Sequence, residues 1–172
     1  MTQHDATKGW DGGLDELVPL LDFTIMNDLE ATHIVKRGRG RLDENSEHEI
    51  ENWASFFGAI SPEANVIVTR GEKGAVALRG GEIIANQSTI IVTPVDPTGA
   101  GDSFTAGFLH GVWSWKLESR TKVDDKWPIE AIKEGLLWGC AVGSAKMLIR
   151  GASNPVLPEE IENFRKRIMN LH

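Results

Sequence analysis

Hydrophobic positions along the chain follow two rhythms, one helical and one extended. Leu14, Leu17, Val18 and Leu21 recur at helical spacing and predict a first helix. Residues 22–26 form a short apolar run and predict a buried strand. Residues 30–36 predict a short helix, stopped at Gly38. A charged loop follows and passes into a helix whose apolar side carries Ile50, Trp53, Phe56 and Phe57. The acidic residues from Asp43 to Glu51 read as a solvated helix face.

The middle of the chain is β-rich. Residues 66–69 are continuously apolar and predict a strand, and Gly71 and Gly74 bracket a turn. Residues 75–78 predict a second strand, Gly80-Gly81 a hairpin-like turn, and Ile83-Ile84 and residues 89–92 further β structure. The glycines and prolines of residues 94–102 break regular structure, and a helix is predicted over 103–116. A polar connection covers 118–127. Pro128 suits a helix start because it has no N–H to leave unpaired, and that helix is predicted to run to about Ile149. A last helix starts after Pro158, with Glu159 and Glu160 in its first turn. Trp113 and Trp115 lie two apart, cannot share a helix face, and read as packing. Alternating helices and apolar strands predict an α/β layered sheet. Residues 1–13 are polar and Gly-rich and read as a flexible lead-in to a structured portion, 14–172.

Composition narrows the function classes. Of 172 residues, 41% are hydrophobic and 25% charged, which is globular. The length suits one domain or a piece of something larger. A net charge of −7 argues against broad nucleic-acid or anionic-membrane binding, while leaving room for a local phosphate site. Cys140 is the only cysteine, so no intrachain disulfide forms. It reads as a small core residue, and a reducing, cytoplasmic setting is expected. No apolar run approaches the roughly 20 residues that span a bilayer, and the first residues lack an apolar signal core. Neither a membrane nor a nucleic-acid partner is expected.

The segment Val95-Asp96-Pro97-Thr98-Gly99-Ala100-Gly101-Asp102-Ser103-Phe104 carries the chemistry. It runs from a strand, through a loop with two glycines, into a helix. Glycine lets successive N–H groups turn toward one point, and the helix start adds unpaired N–H groups and a positive dipole end. Such a place binds an anion, most naturally phosphate. A carboxylate beside it, Asp102, would repel that phosphate unless it had a use. Accepting a proton from an attacking hydroxyl is such a use.

The run D-P-T-G-A-G-D-S-F resembles the C-terminal signature of the ribokinase-like (PfkB) carbohydrate kinases. The resemblance implies that Asp102 is the catalytic base and that the Gly99, Ala100 and Gly101 backbone is the anion hole. It implies that Asp96 contacts substrate or shapes a monovalent-cation loop. Asn27-Asp28-Leu29-Glu30 is similar to the family's N-x-x-E motif, which organises Mg²⁺ through water and phosphate. Thr69-Arg70-Gly71-Glu72-Lys73-Gly74 is similar to its T-x-G-x-x-G segment, so Thr69, Gly71 and Gly74 are implied nucleotide contacts. The stretch from Ala145 to Ala152 resembles the helix and loop that close the adenine pocket, with Gly151 as a backbone contact. ATP, Mg²⁺ and a monovalent cation such as K⁺ are the implied cofactors, and a sugar or nucleoside hydroxyl the implied acceptor.

The resemblance runs from about Leu14 to the end and corresponds to the C-terminal part of a ribokinase-like layered sheet flanked by helices. The family's first strands, lid and di-glycine substrate motif have no counterpart; Gly12-Gly13 and Gly80-Gly81 stand in the wrong contexts. A fragment, a truncated gene model, a split enzyme lacking its N-terminal half, and a homo-oligomer covering an open sheet edge are all compatible with this. Two readings compete with a sugar kinase: a nucleoside kinase of the same family, and a catalytically silent nucleotide-binding or interaction module. A phosphate-binding α/β protein outside the kinases is a third, disfavoured by three motifs in the family's order.

Overall fold

A computed structural model describes residues 13–39, 48–120 and 126–171. The lead-in before Gly13, the acidic stretch 43–47 and most of the polar connection after Arg120 lie outside the described residues. In chain order the elements are α1 (Leu14–Leu17), a 3₁₀ turn (Val18–Leu20), β1 (Phe23–Asn27), α2 (Asp28–Arg39), α3 (Glu49–Ile60), β2 (Asn65–Thr69), a 3₁₀ turn (Gly71–Lys73), β3 (Ala75–Arg79), β4 (Glu82–Gln87), α4 (Ala100–Ser119), α5 (Ile129–Lys146) and α6 (Pro158–Met169). The sheet order is β1-β2-β3-β4. β1 and β2 are parallel, with Phe23 opposite Asn65 and Asn27 opposite Thr69. The chain forms two compact units, one over Met1–Thr69 and Val76–Ile84, the other over Arg70–Ala75 and Ala85–His172.

In the first unit, β1 buries alternate residues, Thr24 and Met26, whereas β2 and β3 bury consecutive ones. Both faces of the inner strands are therefore covered, as in a parallel α/β sheet. Met26, Val66, Val68, Val76 and Leu78 form a core with Val35 of α2 and Trp53 and Phe57 of α3. Trp53 satisfies its indole N–H on the Thr32 hydroxyl, which in turn donates to Glu49 Oε1 at 2.8 Å. Gly80 and Gly81, with φ of 62° and 87°, make the two-residue turn between β3 and β4.

In the second unit, α4 and α5 pack along a stripe of glycines. A Cβ on Gly107 would lie 2.7 Å from the Trp138 carbonyl oxygen, and one on Gly111 2.6 Å from that of Glu134. From the other side, Gly135 faces Val112 and Phe108, and Gly139 faces the Phe104 ring. Hydrogen replaces a side chain at each crossing point, so the helices approach closely and the phenyl rings fill the grooves. Cys140 is buried in this unit, and burial pushes its thiol up to about 12. It is a packing residue, as the sequence suggested.

Several boundaries differ from the sequence reading, each for a local reason. The first helix ends at Leu17 because Pro19 cannot donate to a longer ladder. α2 begins earlier, at Asp28, because Asn27 caps it. α4 begins at Ala100, three residues before the expected Ser103, because Gly99 takes the left-handed conformation (φ 83°, ψ 4°) and turns the chain directly into the helix. Residues 89–92 form no strand; Thr89 instead shares a hydroxyl hydrogen bond with Ser144 at 2.7 Å. Trp113 is 55% exposed rather than packed inside, with the Lys116 ammonium 4.7 Å above its ring and Trp127 beside it.

Candidate functional site

The second unit gathers Asp96, Gly99, Ala100, Gly101, Asp102 and Gly151 around the start of α4. Ser103 N–H donates to Gly99 O at 2.9 Å, the first helical hydrogen bond. The amides of Gly101 and Asp102 precede that bond and belong to the donors a helix leaves unpaired at its start. The Ala100 amide differs from them, because it donates to Pro97 O at 3.2 Å and closes a turn. Gly101 and Asp102 are exposed, and a Cβ on Gly101 would meet nothing within 4 Å. The result is an open cradle of N–H groups at a helix dipole's positive end, with the Asp102 carboxylate on the same turn.

Asp96 fixes this loop. Its Oδ1 accepts the Thr98 amide at 2.9 Å, and its Oδ2 accepts the Gly151 amide at 2.8 Å. The Thr98 hydroxyl bond, then the Gly151 and Thr98 amides, and beyond them the Lys146 charge hold its carboxyl down at about 2. The Val95 and Asp96 amides both donate to Met147 O, at 2.8 and 3.2 Å. Ala152 packs against Gly99, where a Cβ would lie 3.3 Å from the Ala152 backbone. The signature loop and the turn after α5 are thus one structure, and Asp96 is the bolt between them.

This geometry predicts an acid response. A carboxyl held below its ordinary value near 4 contributes stability that is complete above that value and is lost as pH falls toward 2. Thermal unfolding of the wild type and of Asp96→Asn should therefore converge between about pH 4 and pH 2, the variant being less stable only above that window. Parallel curves across the whole range would show that Asp96 bolts nothing.

Lys146 is the residue that sequence reasoning missed. It is 1% exposed and donates through Nζ to Gly151 O and Asn154 O, both at 2.6 Å. One signal was available: it is the only charged residue from Cys140 to Ile149. Gly151, expected as a nucleotide contact, has its N–H on Asp96 and its carbonyl on Lys146.

The remaining motif residues are described within their own units. Thr69 ends β2 and donates its hydroxyl to Met26 O at 3.4 Å. Gly71 and Gly74 flank a 3₁₀ turn in which Arg70 N–H donates to Gly74 O at 2.7 Å. A Cβ on Gly74 would overlap Gln87 O at 1.9 Å, so the Gly74 backbone lies directly against the end of β4. Asn27 and Glu30 form a reciprocal cap on α2: Asn27 Oδ1 accepts the Glu30 amide at 2.8 Å and Glu30 Oε2 accepts the Asn27 amide at 3.0 Å. Glu30 is buried, with Oε2 in the cap; its other oxygen, Oε1, is of the hard type that Mg²⁺ prefers. Among the described residues, no three His, Cys, Asp or Glu side chains gather into a metal cluster, and no helix is long and apolar enough to cross a membrane.

Known proteins resemble the chain in sequence and in fold. The chain is 35% identical over 123 residues to fructoselysine 6-kinase of Escherichia coli (strain K12), covering 66% of this chain and 37% of that protein. It is 31% identical over 97 residues to 2-dehydro-3-deoxygalactonokinase of Haloferax volcanii, covering 56% and 26%. Among solved structures, ribokinase from Thermotoga maritima superimposes with a TM-score of 0.62 at 26% identity, over 95% of this chain and 52% of that one. Fructokinase from Vibrio cholerae O395 shares the fold, with a TM-score of 0.63 at 22% identity, over 87% and 42%. The chain spans about half the length of that ribokinase and little more than a third of the fructoselysine kinase. The profile of the pfkB family carbohydrate kinases matches residues 5–159, and the chain belongs to that family.

Proposed function

We propose that this chain carries the phosphate-binding and catalytic part of an ATP-dependent kinase that phosphorylates a hydroxyl of a sugar. The observation supporting this most directly is the first turn of α4. Its exposed Gly101 and Asp102 amides and its Asp102 carboxylate share one turn, in a loop bolted by Asp96. A sugar is preferred over a nucleoside because both curated relatives named above act on sugars or sugar acids. The nucleoside kinases among the structural relatives share about 20% identity and speak for the fold alone.

Phosphoryl transfer asks little covalent chemistry of a protein and much positioning and charge stabilisation. The free amides of the α4 turn receive the phosphoryl oxygens, where negative charge builds up. The acceptor oxygen forms its bond to the γ-phosphorus as the bond to the bridging oxygen breaks, and ADP leaves. Asp102 aligns the hydroxyl and accepts its proton late in that process. Thr69, Gly71, Gly74 and the turn at Gly151 are assigned to the nucleotide side. Asn27 and Glu30 are assigned to Mg²⁺ through water, an ion that supplies charge neutralisation on the phosphates when bound. Asp96 is assigned to holding the loop.

The test is a turnover assay on the protein carrying this chain, with Mg·ATP and a panel comprising fructoselysine, fructose, 2-dehydro-3-deoxygalactonate, ribose and adenosine. ADP release together with a new sugar phosphomonoester in the ³¹P NMR spectrum is expected. Nucleotide binding without turnover on any acceptor would replace this reading with a silent nucleotide-binding module.

A further inference from the structure

A buried ammonium is costly unless its donors are matched, and Lys146 is 1% exposed. Its Nζ makes two short bonds to main-chain carbonyls of the turn after α5, Gly151 O and Asn154 O, both at 2.6 Å. Asp96, which accepts the Gly151 amide, acts on the same ammonium by charge. One positive charge thus meets two main-chain carbonyl oxygens and feels the Asp96 carboxylate. Carbonyl oxygens so arranged replace the hydration shell of a monovalent cation. Here the cation is covalently attached to the chain at the end of α5.

We propose that Lys146 is a tethered cation, a positioning residue whose ammonium does for the two loops what a free K⁺ or NH₄⁺ would otherwise do. The chain of contacts is short. Lys146 holds the Gly151–Asn154 turn, the Gly151 amide holds Asp96, and Asp96 holds the loop that turns at Gly99 into the phosphate cradle. The link from Lys146 to catalysis rests on the phosphotransfer reading; the link from Lys146 to loop stability does not. A protein built this way has no use for an added monovalent cation. It acquires one when the tether is cut.

The experiment compares thermal unfolding of the 172-residue chain and of Lys146→Met in choline, potassium and ammonium chloride at equal ionic strength. The wild-type midpoint is expected to be the same in all three salts. Lys146→Met is expected to melt about 5–10 °C lower in choline and to regain most of that loss, saturably, in ammonium or potassium. A merely structural lysine would not produce this ion specificity. A wild-type midpoint that climbs saturably with K⁺, or a variant equally weakened in every salt, overturns the proposal. If Lys146→Met does not fold in choline, its refolding yield is read instead: recovery in ammonium chloride supports the tether, and failure in all three salts overturns it. The ion-specific pattern in a protein without kinase turnover would leave the tether standing and sink the phosphotransfer reading alone.

Discussion

Asp102→Asn is expected to lower kcat for sugar phosphorylation by at least about 10²-fold, the scale on which a general base contributes. Asparagine keeps the size of the side chain and removes its proton-accepting charge. The substitution leaves the bolt through Asp96, Thr98 and Gly151 untouched, since Asp102 is exposed and outside it. Binding of Mg·ATP should persist or tighten, because a negative charge beside the phosphates is gone. The bland alternative is that Asp102 is only an acidic first-turn residue favoured by the helix dipole. That role is worth about 0.3–1 kcal/mol of stability and nothing in turnover. Steady-state kinetics with a parallel titration of nucleotide therefore separate the two: unchanged kcat with a slightly lower melting temperature would remove Asp102 from the chemistry.

What the sequence made legible, and what it hid, follows from the range of each interaction. The strands β1 and β2 were visible because both are short apolar runs with strong local patterns, whereas their parallel pairing came only from the structure. The D-P-T-G-A-G-D-S-F segment was visible because its glycines and its acidic residue are contiguous. Lys146 was hidden because its partners Gly151 and Asn154 offer main-chain carbonyls, which every residue possesses. Asp96 was noticed, but its engagement with Gly151, 55 residues away, could not be read from spacing. The Asn27–Glu30 cap shows the opposite case. A motif singled out for metal chemistry also satisfies a purely local need, since residues three apart at a helix start close a reciprocal hydrogen-bonded box.

Gly107→Val is expected to destabilise the protein by about 3 kcal/mol, the upper part of the range for overpacking a tight interior. The obstacle is backbone. A Cβ at 107 would approach Trp138 O to 2.7 Å and Val142 Cγ2 to 2.8 Å, and a carbonyl within α5 cannot rotate away. The two helices must move apart instead, and Phe104 and Phe108 then lose their seats against Gly139 and Gly135. Ala106→Val is the control, because Ala106 is exposed on the same helix and the change there costs only helix propensity, about 0.5 kcal/mol. Chemical denaturation of the three proteins measures the difference, and near-equal midpoints for the two variants would show that the glycine stripe is not a tight contact. The same change should reach the site. The N-terminus of α4 carries the proposed phosphate cradle, while the C-terminus of α5 carries Lys146 and leads into Met147 and Gly151, so helix separation pulls on the hydrogen bonds from Val95 and Asp96 to Met147 and from Gly151 to Asp96. At temperatures where Gly107→Val is still folded, its affinity for Mg·ATP should already be lower than that of Ala106→Val. On the proposed function, the glycines set the spacing of the Asp96–Asp102 loop as well as the stability of the helix pair, and a loosened pair is expected to bind phosphate poorly before it unfolds.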